Sequence, residues 1–235
     1  GAQGMNVVRT AWLSHGGVQE TPCITIDSQC GSSQEAVHLA TSMLRAGMAD
    51  VMIACGVENM SRLPIGSDAV GLKPELGKPV SRTYFEHHEF ISQFEGAERM
   101  AEKYQVTRAD TDAFGLQSQE RAKHAVDAGY FKSQIIPLEV PVFGADGKRT
   151  DESFVFEQDE VLRETSLEAL AGLKAVARED GIHTAGTSSQ IADGAAAVLL
   201  MTGSKAKELG LKPLARVVDA QLVGCDPVLM LEGPI

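Results

Sequence analysis

The sequence predicts an α/β protein in which a parallel-rich sheet is layered with helices, and three stretches carry that prediction. A short β-prone run, Cys23-Ile24-Thr25-Ile26, leads through small residues into an alanine-rich helical pattern from about Gln34 to Ala46. Asp50 then introduces Val51-Met52-Ile53-Ala54-Cys55-Gly56, a continuous apolar run of buried-strand length. Strand, helix and strand over this span read as a βαβ unit, which implies parallel strands and a right-handed crossover. The run Ala195 to Met201 has the same buried-strand character.

Taken in order, the chain opens with a turn and a short amphipathic helix that places Val8, Ala11 and Trp12 on one face. Ala36, Ala40, Met43 and Leu44 keep helical spacing, and Gly47 supplies a C-terminal stop. From Pro64 to about Glu89 the periodicity fails, and a long excursion is expected there. Two helices follow. The first carries Phe94, Ala97, Ala101 and Tyr104 at helical spacing; the second starts at Thr107-Arg108-Ala109-Asp110, an N-cap pattern, and runs to Gly129. Ile135 to Val142 reads as an edge strand because of Pro137 and Pro141, and Asp146-Gly147 turns the chain back through Phe154-Val155-Phe156. Asp159 to Val176 is helical in tendency, a short helix is expected around Lys205 to Leu209, and Leu214 to Val223 reads as a further strand.

Composition narrows the function. A formal charge of −11 over 235 residues argues against a nucleic-acid partner, which needs a basic face. It leaves room for an anionic small ligand held by a few local cations. No apolar run is long enough for a membrane span, so no membrane partner is expected. The four cysteines, Cys23, Cys30, Cys55 and Cys225, are irregularly spaced and form no ligand array with the six histidines. Reduced thiols in a cytoplasmic protein are therefore expected, with no metal site. The chain opens Gly-Ala-Gln-Gly and stops at Gly233-Pro234-Ile235, and is expected to be an internal fragment of a longer protein.

Two small-residue clusters are candidates for chemistry. Asp27-Ser28-Gln29-Cys30-Gly31-Ser32-Ser33-Gln34 places a thiol where a helix starts. Amides at a helix N-terminus lack intrahelical partners and carry partial positive charge, which favours a thiolate. A cysteine there is either such a nucleophile or a small hydrophobe packed under the helix. His183-Thr184-Ala185-Gly186-Thr187-Ser188-Ser189-Gln190 is dense in hydroxyls and amides, as suits either a loop lining a polar ligand or an ordinary connection.

These clusters, with Cys55-Gly56-Val57-Glu58-Asn59-Met60-Ser61, Ala97-Glu98, Ser118-Gln119, Gly129-Tyr130-Phe131, Asp193-Gly194-Ala195-Ala196, Asp226-Pro227 and Gly233-Pro234, follow one order and spacing. Together they resemble the thiolases, acyltransferases acting on acyl-CoA thioesters. The resemblance implies a thiolase-like layered α/β fold of helix and sheet layers, truncated at both ends, with an inserted loop domain. Residues 1–61 would belong to an incomplete N-terminal half and 62–190 to the loop domain. Residues 191–211 would supply the last strand of that half, and 212–235 would begin a C-terminal half.

The resemblance assigns Cys30 as the acyl-accepting nucleophile and places Ser189, with Ala185 and Gly186, near the pantetheine of coenzyme A. It places Arg163 near the nucleotide; a lone Arg on a helix is otherwise a solvated surface charge. It further implies acyl-CoA and CoA as partners, CoA serving as substrate with no separate cofactor, and a homo-oligomer (dimer or tetramer) in the full-length form. Gln93-Phe94-Glu95-Gly96-Ala97-Glu98 and Thr187-Ser188-Ser189-Gln190 depart from common family forms and are similar to bacterial thiolases of steroid side chains. The family's downstream Asn-Glu-Ala-Phe, Gly-His-Pro and Cys-x-Gly stretches do not occur in this sequence, so this fragment alone is expected to be inactive in turnover. A non-catalytic acyl- or sterol-binding relative and a β-ketoacyl synthase relative are the competing readings. The synthase reading requires two downstream histidines in place of the second cysteine.

Overall fold

The computed structural model describes residues 6–67 and 80–235. The opening turn and residues 68–79 of the expected excursion lie outside the described residues. Helices α1 (Val7–Ser14) and α2 (Ser32–Arg45) precede strand β1 (Val51–Asn59). Helices α3 (Tyr84–His87), α4 (Gln93–Tyr104) and α5 (Arg108–Asp127) follow, then strands β2 (Leu138–Phe143) and β3 (Arg149–Phe156). Helix α6 (Leu167–Ala171), strand β4 (Asp193–Met201) and helix α7 (Gly203–Glu208) complete the order. The chain divides into two compact units: the described residues of Gly1–Ser81 with Ile191–Val223, and Arg82–Gln190 with Gly224–Ile235.

In the first unit β1 pairs with β4 along its whole length, from Val51↔Met201 to Asn59↔Asp193, and the pairing is antiparallel. The expected parallel pair of Cys23–Ile26 with Val51–Gly56 is not formed among the described residues. Among the described residues Cys23–Ile26 has no ladder partner, and Leu214–Val223 is likewise irregular rather than a strand. A strand exists only where a neighbour answers its amides and carbonyls. The partner of β1 comes from about 140 residues downstream and runs the other way. Helix α2 covers the face carrying Met52, Ala54 and Leu200, where Ala40, Leu44, Ala54 and Leu200 form the buried cluster. The opposite face leaves Ile53 and its partner Leu199 exposed. The Arg45 guanidinium donates to the carbonyls of Val217 and Val218 at 2.9 and 3.1 Å, holding that irregular segment beside α2.

In the second unit β2 and β3 form the expected hairpin, with Gly147 at φ +73° in the turn where a side chain would be strained. Helix α4 is present, but its buried face differs from the expected one. Gly96, Glu98 and Ala101 are buried, while Phe94 and Tyr104 are exposed. A Cβ on Gly96 would stand 3.0 Å from the Val228 carbonyl, so glycine lets the C-terminal segment lie against α4. Glu232 of that segment accepts hydrogen bonds from Lys103, at 2.5 Å, and from the Tyr104 hydroxyl.

The helix expected over Asp159–Val176 shrinks to α6. Its first half is irregular, with side chains taking its backbone hydrogen bonds. Asp159 accepts from the Val161 amide at 2.9 Å, Gln119 accepts from the Arg163 amide at 2.9 Å, and Gln190 donates to the Val161 carbonyl at 2.5 Å. After α6 the Val176 amide donates to the His183 carbonyl instead of continuing a helix.

Helix α5 begins with a complete capping box: the Thr107 hydroxyl accepts from the Asp110 amide at 3.3 Å, the Asp110 carboxylate accepts from the Thr107 amide at 2.9 Å, and the Thr107 hydroxyl also donates to that carboxylate. The Thr107 hydroxyl, then its amide, hold the Asp110 carboxyl below its ordinary value. A lowered folded-state value means the stabilisation is complete above the unfolded value and lost as pH falls towards the folded one. Asp110→Ala is therefore expected to lower the melting temperature at pH 7, and the gap from wild type should close on acidification below about pH 4. Thermal melts across that range check it.

Candidate active site

The first unit presents Cys30 in a single 3₁₀ turn, Gln29–Gly31, immediately ahead of α2. The turn is built from its own short polar side chains. Asp27 accepts from the Gln29 amide at 3.0 Å, and the Ser32 hydroxyl accepts from the Ser28 amide at 2.9 Å while donating to the Gln29 carbonyl at 2.6 Å. Gln29 sits at φ +48°, a left-handed conformation that costs a non-glycine residue about 1 kcal/mol. Backbone outliers of this kind concentrate at functional sites. The thiol is exposed, which rules out the reading of Cys30 as a residue packed under the helix. No side-chain hydrogen bond caps α2; the Gly31 and Ser32 amides donate instead to the backbone carbonyls of Ser28 and Gln29.

Gly56 fixes how closely the start of α2 meets the sheet. A Cβ there would fall 2.2 Å from the Ser33 hydroxyl oxygen, so a side chain at this position of β1 would force Ser33 to turn away. The same end of the β1–β4 ladder is closed by Asp193, which accepts from the Ser61 amide at 2.8 Å and hydroxyl at 2.6 Å. These contacts, the Ser61 hydroxyl foremost, hold the Asp193 carboxyl below its ordinary value.

The second unit contains the loop from Ile182 to Ser189. Ala185 and Gly186 lie in a 3₁₀ turn, Ala185–Thr187, opened by Thr184. Thr184 is wholly buried; its hydroxyl accepts from the Gly186 amide at 3.1 Å, and its carbonyl accepts from the Ser188 hydroxyl at 2.8 Å. Gly186 is enclosed, since a Cβ would lie 2.3 Å from a Leu170 methyl. A Cβ on Gly115 in α5 would lie 2.7 Å from the Gly186 carbonyl. Close packing thus fixes the loop's body, while Ala185 and Ser189 face outward.

Arg163 stands on the irregular segment before α6, which corrects its expected place on a helix. Its guanidinium folds onto its own neighbours, donating to the carbonyls of Glu160 and Leu162 at 2.9 and 3.3 Å. Through the bond from Gln190 to Val161, the structure ties the Arg163 segment to the end of the Ser189 loop within one unit. Cys30 belongs to the other unit.

Residue-level reading gave no role to Glu98, which the structure buries with 2% of its surface exposed. Its carboxylate accepts from the Ile182 amide at 2.9 and 3.0 Å and from the His183 amide at 2.9 Å. The available signal was a carboxylate three residues before Ala101 on a face otherwise made of small residues. Among the described residues no group of three or more His, Cys, Asp or Glu is placed to hold a metal ion, and no helix is long and apolar enough to cross a membrane.

The fold and site define a layered α/β protein with an exposed thiol at a helix start. Residues 1–204 match the family model "Thiolase, N-terminal domain". The steroid 3-ketoacyl-CoA thiolase FadA6 of Mycobacterium tuberculosis is 41% identical over 100% of this chain and 56% of its own length. An acetyl-CoA acetyltransferase of Pseudomonas aeruginosa is 39% identical over 99% of this chain and 59% of its own. The crystal structure of the Bacillus anthracis acetyl-CoA acetyltransferase superposes with a TM-score of 0.80 at 35% identity, covering 96% of this chain and 57% of that one. The chain belongs to the thiolase family, and it spans somewhat over half the length of these relatives.

Proposed function

We propose that this chain carries the acyl-accepting half of a thiolase reaction, with Cys30 as nucleophile. The Cys30 thiolate attacks the keto carbonyl of a β-ketoacyl-CoA. The carbon–carbon bond then breaks, the electron pair leaves as the acetyl-CoA carbanion, and a second CoA thiol takes the acyl group from the cysteine. The observation that carries this reading is the exposed Cys30 immediately ahead of α2, in a turn that the chain enters through Gln29 at a left-handed φ.

Ser189, Ala185 and Gly186 are proposed to face the pantetheine of CoA, and Arg163 its nucleotide. CoA is the substrate and no separate cofactor takes part. Protonation of the leaving carbanion falls to a second cysteine in the family pattern, and this sequence has no Cys-x-Gly. The expected activity of residues 1–235 is therefore a single acylation without sustained turnover. The full-length form is proposed to be a cytoplasmic homo-oligomer. The name of one relative, steroid 3-ketoacyl-CoA thiolase, supports proposing a bulky β-ketoacyl-CoA as a substrate class.

Mixing the chain with excess acetyl-CoA is expected to release about one equivalent of free CoA as a burst, the kinetic mark of an accumulating acyl-enzyme. Cys30→Ala should abolish the burst. A burst of equal size in Cys30→Ala, or none in wild type, would refute the nucleophile assignment.

A further inference from the structure

We infer that Glu98 is a positioning residue for the Ala185–Ser189 loop, a role that rests on the proposal that this loop receives CoA. A buried carboxylate is costly unless its lone pairs are met, and two consecutive backbone amides meet this one. Those amides belong to Ile182 and His183, immediately ahead of buried Thr184, on which the turn through Gly186 is built. The carboxylate therefore clamps the point where the chain enters the loop.

Gly181 completes the clamp. A Cβ at that position would lie 2.5 Å from Glu98 Oε1 and 3.1 Å from the Arg178 carbonyl, so a side chain there displaces the carboxylate. Thr111 adds a weaker tie, its hydroxyl reaching the Ile182 carbonyl at 3.5 Å. No ligand-facing role is needed for Glu98. It acts through Ser189 and Ala185, by fixing the chain that presents them.

Glu98→Gln keeps the volume and one acceptor oxygen but turns an N–H group towards a backbone N–H. Gly181→Ala disturbs the same contact from the other side and keeps the carboxylate. Hydrogen exchange of the 182–189 amides is expected to accelerate at least about tenfold in both variants, as it does when a local hydrogen-bonded unit opens more readily. In single-turnover acylation by acetyl-CoA, the half-saturating concentration should rise about tenfold while the limiting rate stays within about twofold, separating binding from chemistry. Glu102→Gln, which removes a surface partner of Arg178 on the same helix, should change neither readout.

Unchanged exchange in both variants would overturn the clamp. Faster exchange with an unchanged half-saturating concentration would overturn the positioning role. Wild-type protein that takes no acyl group, with faster exchange in the variants, would refute the acyl-transfer reading while supporting the clamp.

Discussion

Arg108→Met is expected to destabilise the second unit by about 3 kcal/mol, the low end of the cost of leaving one partner of a buried ion pair unanswered. Arg108 donates to both oxygens of Asp112 at 2.9 and 3.0 Å, and Asp112 is 5% exposed. The same guanidinium donates to the carbonyls of Leu170 and Leu173 at 2.6 and 3.1 Å, where α6 ends. It thus joins α5 to the leucines that pack on Gly186. Methionine keeps most of the aliphatic stem, so the loss reports the charge and its hydrogen bonds. The Arg108 side chain's partial exposure, 29%, is why the low end applies. Urea unfolding of wild type, Arg108→Met, Asp112→Asn and the double variant checks it. The double variant should lose less than the sum of the singles because one interaction is counted twice. A loss under about 1 kcal/mol for Arg108→Met would show that the pair behaves as a surface one.

Leu44→Ala is the second large effect, expected to cost the first unit about 2–5 kcal/mol through lost burial and the cavity left behind. Leu44 is the larger side chain contributed by α2 to a cluster otherwise made of Ala40, Ala54 and Leu200. Small neighbours have few atoms with which to fill the gap, so collapse is limited. The consequence reaches the candidate nucleophile, because α2 is the helix whose first turn follows Cys30 and whose Ser33 fits against Gly56. Acylation of Cys30 should slow while the variant is still folded. Wild-type acylation at reduced stability would separate the core from the site.

Local signals in the sequence proved more legible than distant ones. The α5 capping box, the Asp146-Gly147 turn and the glycines ending α2 and α5 depend on neighbours within a few residues, and all are present. The direction of β1 was not legible, because a continuous apolar run carries no mark of which way its partner runs. That partner, β4, contributes residues as distant as Met201. Over Asp159–Val176 a helix forms only at Leu167–Ala171, and distant partners explain the irregular part before it. Its helical tendency is overridden by Gln119 and Gln190, whose amides take over its backbone hydrogen bonds. Cys30 stands out as a candidate in the sequence because small residues around a thiol at a helix start are a local pattern. Glu98 was missed because its partners, the Ile182 and His183 amides, are more than 80 residues away. Its burial on α4 follows from tertiary packing rather than from the helix's own apolar spacing.

The central claim is that one thiol among four accepts the acyl group. Peptide-resolved mass spectrometry after incubation with an acyl-CoA tests it most directly. The account predicts an acyl group on the peptide containing Cys30 and none on those containing Cys23, Cys55 or Cys225. Acylation spread evenly over the exposed thiols Cys30 and Cys225, or absent from Cys30, would contradict it.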